Sequence, residues 1–141
     1  FQMLRLLIFV LLNYIIAVQC FLSQTVAVKG KLMCGNMYLA NAKVKLWDRN
    51  AIGRDTQLAE TVTDLNGNFQ MQGGTKSLLK MDVYFKVYHD CEDSFKPCQR
   101  KVALRIPDQY VTRGDKPEEV FNAGTLNMSV KYPGEERSCI N

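Results

Sequence analysis

The stretch that decides the fold is VYFKVYHDCEDSFKPCQRKVALRI, residues 83–106. Apolar residues alternate with polar ones along residues 83–89 and again along residues 101–106, and a short loop bounded by Cys91 and Cys98 separates the two runs. Alternation of this kind is typical of a β-strand that buries one of its faces. The stretch therefore predicts two neighbouring strands of a disulfide-stapled β-scaffold.

The same alternation recurs along the chain and predicts about seven short strands. Glycine and asparagine turn residues separate the strands at the spacing of an antiparallel sandwich. We therefore predict an all-β fold, a single antiparallel β-sandwich. The residues expected to face its core are Val26, Val28 and Leu32; Val44 and Leu46; Leu58 and Val62; Phe69 and Met71; Val83, Phe85 and Val87; Val102, Leu104 and Ile106; and Leu126, Met128 and Val130.

The N-terminal stretch MLRLLIFVLLNYIIAVQC, residues 3–20, has one basic residue, Arg5, followed by an apolar core. This arrangement is typical of a signal peptide. A membrane span needs about 20 apolar residues, whereas this run is interrupted by Asn13 and fades at Gln19. We expect residues 1–20 to be a signal peptide that is removed, residues 21–141 to form one extracellular domain, and no segment to span a membrane.

The remainder of the chain contains an even number of cysteines, which indicates disulfides in a secreted protein. A bridge between Cys91 and Cys98 is favoured because their loop is short, and this choice assigns Cys34 to Cys139 by elimination; sequence alone permits three pairings. A zinc site is disfavoured because the chain has no C-x-x-C pair and one histidine.

The segment TDLNGNF, residues 63–69, contains Asn66-Gly67 between alternating flanks, which is a strong hairpin signal. Asp64, Asn66 and Asn68 also have the spacing of the first calcium ligands of an EF-hand. That loop requires a closing glutamate and flanking helices, and the sequence supplies neither. We predict a hairpin turn, and no metal or cofactor.

One small region of the sequence contains His89, Asp90, Asp93 and Ser94. Residues of these types could in principle form a hydrolytic site. A catalytic triad brings its members from separate elements to an oxyanion hole, and the chain has no G-x-S-x-G elbow. We expect an exposed loop with His89 as a hydrogen-bonding residue at the rim, and no enzymatic activity.

Four lysines, Lys29, Lys31, Lys43 and Lys45, alternate with core residues and should point to solvent. If their strands pair, all four share one face, which would attract anionic lipid head groups or glycans. A solvated sheet surface is the alternative. The net charge of +4 is mild and does not favour nucleic-acid binding.

The sequon Asn127-Met128-Ser129 permits N-glycosylation in a secreted chain. Glycosylation would require Asn127 to point to solvent while Met128 points to the core.

Several strings of this sequence together resemble the nematode transthyretin-like family: VAVKGKLMCGN, VKLWD, TDLNGNF, VYFKVYHDC, IPDQYV and AGTLNM. The resemblance covers nearly the whole chain after residue 20. It implies a secreted, prealbumin-like sandwich of two antiparallel sheets. Family roles include linking anionic lipid on a cell surface to a receptor, so the resemblance implies a noncatalytic extracellular protein that binds a lipid, a small hydrophobic ligand or a cell-surface receptor.

The resemblance also implies alternatives. Transthyretin carries hormone in a channel between subunits, so one alternative is an oligomeric carrier of a hydrophobic ligand. Another is a parasite-secreted effector that binds a host protein. The related hydroxyisourate hydrolase uses several histidines, whereas this chain has one, so the resemblance does not extend to that enzyme. For a bridging role, the expected contacts are the four lysines and the loop between Cys91 and Cys98.

Overall fold

The computed structural model describes residues 1–49 and 53–140 of the chain. Within these residues an N-terminal helix, α1 (Gln2–Leu22), precedes the strands, and one 3-10 turn (Asp108–Tyr110) lies between them. The strands are β1 (Ser23–Cys34), β2 (Met37–Tyr38), β3 (Lys43–Asp48), β4 (Thr56–Val62), β5 (Asn68–Lys76), β6 (Val83–His89), β7 (Gln99–Arg105), β8 (Thr112–Arg113), β9 (Val120–Asn127) and β10 (Glu136–Ser138).

The strands form two sheets, which confirms the predicted all-β sandwich. In the first sheet β1 is central, with β5 along one side and with β8 and β9 along the other, while β2 pairs with its C-terminal end. The second sheet has the order β10-β7-β6-β3-β4. The pairing of β9 with β1 is parallel, and the other strand pairs of the described chain are antiparallel.

The core lies between the sheets and contains most of the residues that the alternation predicted. Fully buried examples are Val28 and Leu32 from β1, Leu46 from β3 and Val87 from β6. Burial of each such side chain stabilises the fold by about 1.5–3 kcal/mol, so these residues hold the two sheets together. Leu58, Leu104 and Leu126 are partly buried against this core.

Two predicted core residues, Val62 and Val130, are instead exposed, each at 54%. The pairing of β3 with β4 has a bulge at which Leu46 pairs with Ala59 and Trp47 pairs with Gln57. An extra residue in one strand reverses the alternation beyond it. Val62 therefore lies on the outer face, and Val130 follows the end of β9.

The structure joins Cys34 to Cys91 and Cys98 to Cys139, so the predicted pairing is wrong. Cys34 ends β1 of one sheet, and buried Cys91 follows β6 of the other, with their Cα atoms 5.7 Å apart across the core. Cys98 and Cys139 flank Gln99 and Ser138, which are partners in the pairing of β7 with β10. The short separation of Cys91 and Cys98 did not predict their pairing, because the two ends of the loop lie beside different strands. Cys91 lies beside the end of β1, and Cys98 lies beside the residue that follows β10.

The turn predicted at residues 64–68 is confirmed, but the hairpin is not. The Asp64 carboxylate accepts the backbone N–H groups of Asn66 and Asn68 at 2.9 and 2.8 Å, and Gly67 has a φ of 76°. However, β4 pairs with β3 and β5 pairs with β1. The turn carries the chain from one sheet to the other instead of closing a ladder.

Helix α1 is long and apolar enough to cross a membrane, with a mean hydropathy of 2.1. None of its residues is buried. A signal sequence near an N-terminus has the same length and composition, so the removal of residues 1–20 stays a prediction.

Candidate functional site

The four predicted lysines do not share a face. Lys29 and Lys31 lie on β1 of the first sheet, whereas Lys43 and Lys45 lie on β3 of the second. The prediction depended on pairing between these strands, and β3 pairs with β4 and β6 instead. The two lysine pairs therefore occupy the outer faces of opposite sheets.

Lys29 and Lys31 line an open groove of about 530 Å³ on the outer face of the first sheet, which we call the lysine groove. The strand register places amide side chains beside the first lysine, because Gln70 of β5 and Asn122 of β9 are its partners. Asn68 is a partner of Lys31 in the same way. The wall of the groove therefore combines two ammonium groups with hydrogen-bonding amides.

Neither cation of the lysine groove forms a close ion pair within the part of the chain that the structure describes. Among residues 1–49 and 53–140, neither lysine has a carboxylate oxygen within 4.0 Å. The Nζ atom of Lys31 lies 4.1 Å above the Tyr38 ring, which orients it. Asp64 also lines the groove, and hydrogen bonds from Asn68, together with the charge of Lys31, keep the pKa of its carboxyl below the usual value. The groove thus has a small net positive charge.

The second lysine pair, Lys43 and Lys45, has a carboxylate beside it that offsets its charge. The Glu60 carboxylate lies 3.7 Å from the Nζ of Lys43 and 3.5 Å from the Nζ of Lys45. On the same face Lys86 lies 3.9 Å from Asp55, and burial lowers the pKa of Lys86. An added anion would compete with these carboxylates, so the lysine groove is the better anion site of the two.

His89 is buried at 2% exposure, so its predicted place at the rim is wrong. Its Nδ1 accepts the backbone N–H of Cys91 at 3.1 Å, and its Nε2 has no partner within the described chain. Burial and the nearby Arg100 cation lower the pKa of His89 to about 4. The imidazole is therefore neutral at physiological pH.

The carboxyl groups near His89 have other partners. Asp93 accepts two hydrogen bonds from the guanidinium of Arg137 at 2.9 and 2.7 Å. This interaction lowers the pKa of Asp93 and keeps it ionised. Residues 1–49 and 53–140 contain no group of three or more histidine, cysteine or acidic side chains arranged to hold a metal ion.

A buried ion pair joins Arg100 and Glu135, and the alternation pattern did not predict it. The guanidinium binds the carboxylate at 2.6 and 2.9 Å and also donates to the backbone carbonyls of Cys91, Met128 and Val130. The sequence contained one indication of this burial. Arg100 lies two residues before Val102 on β7, and residues two apart on a strand face the same side of the sheet. The pair fastens the end of the second sheet to the segment that follows β9.

Asn127 is half-buried and does not project freely into solvent. Its Oδ1 accepts the N–H of Gly35 at 3.0 Å, and its Nδ2 donates to the Gly35 carbonyl at 3.0 Å. The burial of Met128 is as predicted. Asn127 locks the turn after β1 to the end of β9, and its glycosylation stays a prediction.

The arrangement of sheets and cysteines can be compared with known proteins. The pattern of the transthyretin-like family matches residues 29–107, more than half of the chain. This chain belongs to the transthyretin-like family. The match includes the lysine groove residues of β1 and β5 and the whole of β3, β4, β6 and β7.

The transthyretin-like relatives come from Caenorhabditis elegans. Transthyretin-like protein 33 is 43% identical over 120 residues, which cover 84% of both chains. Transthyretin-like protein 46 is 44% identical over 119 residues, covering 83% of this chain and 66% of that relative. Transthyretin-like protein 5 is 35% identical over 120 residues, covering 84% of this chain and 86% of its own.

Among solved structures, a 9R-lipoxygenase from Cyanothece matches 74% of this chain and 16% of its own at 21% identity, with a TM-score of 0.42. This likeness is too low to support an inference.

Proposed function

We propose that this transthyretin-like protein is a secreted, noncatalytic binding protein whose lysine groove binds the anionic head group of a lipid surface. The observation that supports the proposal is the placement of two lysines, Lys29 and Lys31, on the wall of an open polar groove of about 530 Å³, where neither has a carboxylate oxygen within 4.0 Å among the described residues. Residues two apart on a strand have Cα atoms about 7 Å apart and side chains on the same face. From that spacing two flexible lysine side chains can reach one phosphate group.

The polarity of the groove favours a head group over an apolar small molecule. Apolar ligands occupy cavities lined mainly by hydrophobic and aromatic side chains, whereas Gln70, Asn122 and Asn68 contribute amides here. Because the groove is open and lies on a sheet face, it can meet a lipid surface without a conformational change. The alternative of an oligomeric carrier would need an apolar wall.

Two features support secretion. Disulfides persist in oxidising compartments, and this domain contains two of them. Helix α1 buries none of its apolar residues against the domain, as expected of a leader that is removed. N-terminal sequencing of the protein from the medium of expressing eukaryotic cells tests this point, and a chain retained in the membrane with residues 1–20 attached would contradict it.

The noncatalytic part of the proposal is supported by the state of the groups that would perform catalysis. His89 is neutral and buried, and Asp93 is held by Arg137. A role that bridges lipid to a receptor, or one that binds a host protein, would require a second surface besides the lysine groove.

Vesicle binding tests the lysine groove. The variant with Lys29→Gln and Lys31→Gln should bind phosphatidylserine vesicles about 30-fold more weakly, because each lysine near an anionic surface contributes about 1 kcal/mol. The matched control is Lys43→Gln with Lys45→Gln, which removes the same charge from the opposite face, where Glu60 already compensates it. The control should bind nearly as the natural chain does.

Sedimentation with vesicles of phosphatidylcholine alone or with added phosphatidylserine measures these affinities, and binding should weaken as salt is raised. Equal losses in both double variants would mean that net charge, rather than the groove, attracts the membrane. Unchanged binding in the Lys29 and Lys31 variant would refute the proposed site.

A further inference from the structure

Residues 77–80, which we call the leucine loop, lie between β5 and β6 and present two leucines to solvent. Leu78 is 70% exposed and Leu79 is 58% exposed. The loop follows the end of β5, which pairs with Ser23 at the start of β1. The first lysine of the lysine groove, Lys29, lies about 20 Å further along the same strand. The leucine loop is therefore a separate surface.

The backbone carbonyls of the leucine loop are hydrogen-bonded within the protein. Gln24, which is 1% exposed, donates from its side-chain nitrogen to the carbonyls of Ser77 and Leu79 at 2.9 and 2.7 Å. The guanidinium of Arg113 donates to the carbonyl of Leu78 at 2.6 Å. An unsatisfied backbone group is costly where a loop meets the hydrocarbon of a bilayer. Three successive carbonyls of this loop avoid that cost.

Three cations surround the two leucines. Lys76 precedes the leucine loop, Lys80 ends it, and the Arg113 guanidinium lies against its backbone. Among residues 1–49 and 53–140, none of these cations has a carboxylate oxygen within 4.0 Å. Exposed apolar side chains beside basic ones are typical of a surface that lies at the boundary between lipid head groups and acyl chains.

Helix α1 ends at the same place in the fold. The carbonyl of Leu22, its last residue, accepts the N–H of Ser77 at 2.9 Å, and the Gln19 side chain accepts a hydrogen bond from Lys76 at 2.7 Å. Because α1 is long and apolar enough to cross a membrane, a bilayer that holds α1 meets the leucine loop. The loop stays matched to that boundary whether or not α1 is later removed.

We propose that the leucine loop is an interfacial membrane contact, which inserts Leu78 and Leu79 among the upper acyl-chain segments of a lipid bilayer while the three flanking cations stay among the head groups. Long basic side chains can keep their charge in water in this way while apolar neighbours are buried. The contact uses apolar area, so it does not require anionic lipid and does not rest on the lysine groove.

A second copy of this chain fits the leucine loop less well than a bilayer does. Two loops packed against each other would bring the cations of both copies together, and like charges oppose such a contact. A bilayer places its phosphate groups at the level of these cations instead. The charge around the leucines therefore favours lipid.

Vesicles of phosphatidylcholine alone test the proposal, because a surface without net charge has little attraction for the lysine groove. The variant with Leu78→Ser and Leu79→Ser should bind these vesicles about 10-fold more weakly, because each leucine loses part of its transfer from water. The matched control is Met37→Ser with Leu65→Ser, which removes two exposed apolar residues, at 71% and 82%, from the opposite end of the first sheet. The control should bind as the natural chain does.

Fluorescence reports whether the leucine loop reaches the acyl chains. Leu79→Trp should lose emission in vesicles whose phosphatidylcholine carries bromine on the acyl chains, since bromine quenches an indole that lies close to it. Leu65→Trp is the control and should keep its emission. The natural chain gives the background from Trp47, its one tryptophan.

A further pair of variants separates the satisfied backbone from the apolar contact. Arg113→Ala leaves the Leu78 carbonyl without its donor and should weaken binding to phosphatidylcholine vesicles about 10-fold although both leucines remain. Lys80→Ala removes one charge from the same loop, and its side chain makes no hydrogen bond to these carbonyls. It should leave binding to neutral vesicles nearly unchanged.

The variant with Lys29→Gln and Lys31→Gln should bind phosphatidylcholine vesicles as the natural chain does and lose the added affinity for phosphatidylserine. Failure of the lysine groove and failure of the leucine loop therefore give different results.

Three outcomes would overturn the inference. The first is the absence of binding of the natural chain to phosphatidylcholine vesicles. The second is an equal loss of binding, or equal quenching, in the variants of the leucine loop and in their controls at the opposite end. The third is a dimer of the natural chain, measured by sedimentation velocity, that the variant with Leu78→Ser and Leu79→Ser abolishes, which would assign the loop to a second copy.

Discussion

The burial of His89 predicts a specific loss of stability in mild acid. The imidazole is 2% exposed, and burial together with the Arg100 cation lowers its pKa from 6.5 to about 4. Between these two pH values the unfolded chain binds a proton at His89 and the folded chain does not. Protonation therefore favours unfolding, and the unfolding free energy falls as the pH decreases from about 6.5 to about 4.

The size of this effect follows from the interval between the two pKa values. At about 1.4 kcal/mol for each pH unit, the change from 6.5 to about 4 lowers the unfolding free energy by about 3 kcal/mol. Below the folded pKa the contribution stays constant, since both states are then protonated. Carboxyl groups with lowered pKa values, such as Glu135, remove further stability at lower pH.

The assay is urea denaturation at pH values from 7 to 4 for the natural chain and for His89→Asn. Asparagine keeps an acceptor for the N–H of Cys91 but does not titrate. The variant should be less stable at pH 7 because it leaves a cavity, and its disadvantage should shrink by about 3 kcal/mol on going to pH 4.

Because the chain has one histidine, proton NMR can also follow its titration directly. A midpoint near 6.5 in the folded protein, or a parallel pH dependence of the natural chain and the variant, would refute the argument.

Three further predictions concern the same end of the sandwich. Glu135→Gln should lower the unfolding free energy by about 3 kcal/mol, because it leaves the buried Arg100 guanidinium without its counter-charge; thermal unfolding measures this, and a loss below about 0.5 kcal/mol would place the pair among weak surface interactions. Peptide mapping without reduction should recover a fragment that joins Cys34 to Cys91. Replacing both of these cysteines by serine should cost about 4 kcal/mol in the loop-entropy model, and recovery of any other pairing would disprove the arrangement described above.

Local pattern was sufficient for some of these features and misleading for others. The alternation around Val44, Leu46 and Val87 identified buried residues correctly. It failed at Val62, because a bulge in the pairing of β3 with β4 is a property of two strands together. It also gave no sign that the Arg100 guanidinium is buried, because an ionised side chain is buried only when a partner such as Glu135 is in place.

The lysine groove likewise has features that the local pattern predicts and features that strand pairing decides. The sequence identified all four lysines as outward-facing, and their grouping depended on which strands pair. Once β1 and β3 belong to different sheets, Lys29 and Lys31 line a groove with amides from β5 and β9, while Lys43 and Lys45 meet Glu60. Neither the amide partners nor the compensating carboxylate is close to its lysine in the sequence.

The sequence by itself determined the all-β class, the inner and outer faces of most strands, and the membership in the transthyretin-like family. These features follow from a side-chain alternation of period two, which is local to each strand. Only the tertiary structure decided the disulfide pairing, the separation of the lysine pairs and the burial of His89. Each of these depends on contacts between distant segments, such as the 57 residues between Cys34 and Cys91, and the choice of neighbours in a sandwich is made by packing of the whole chain.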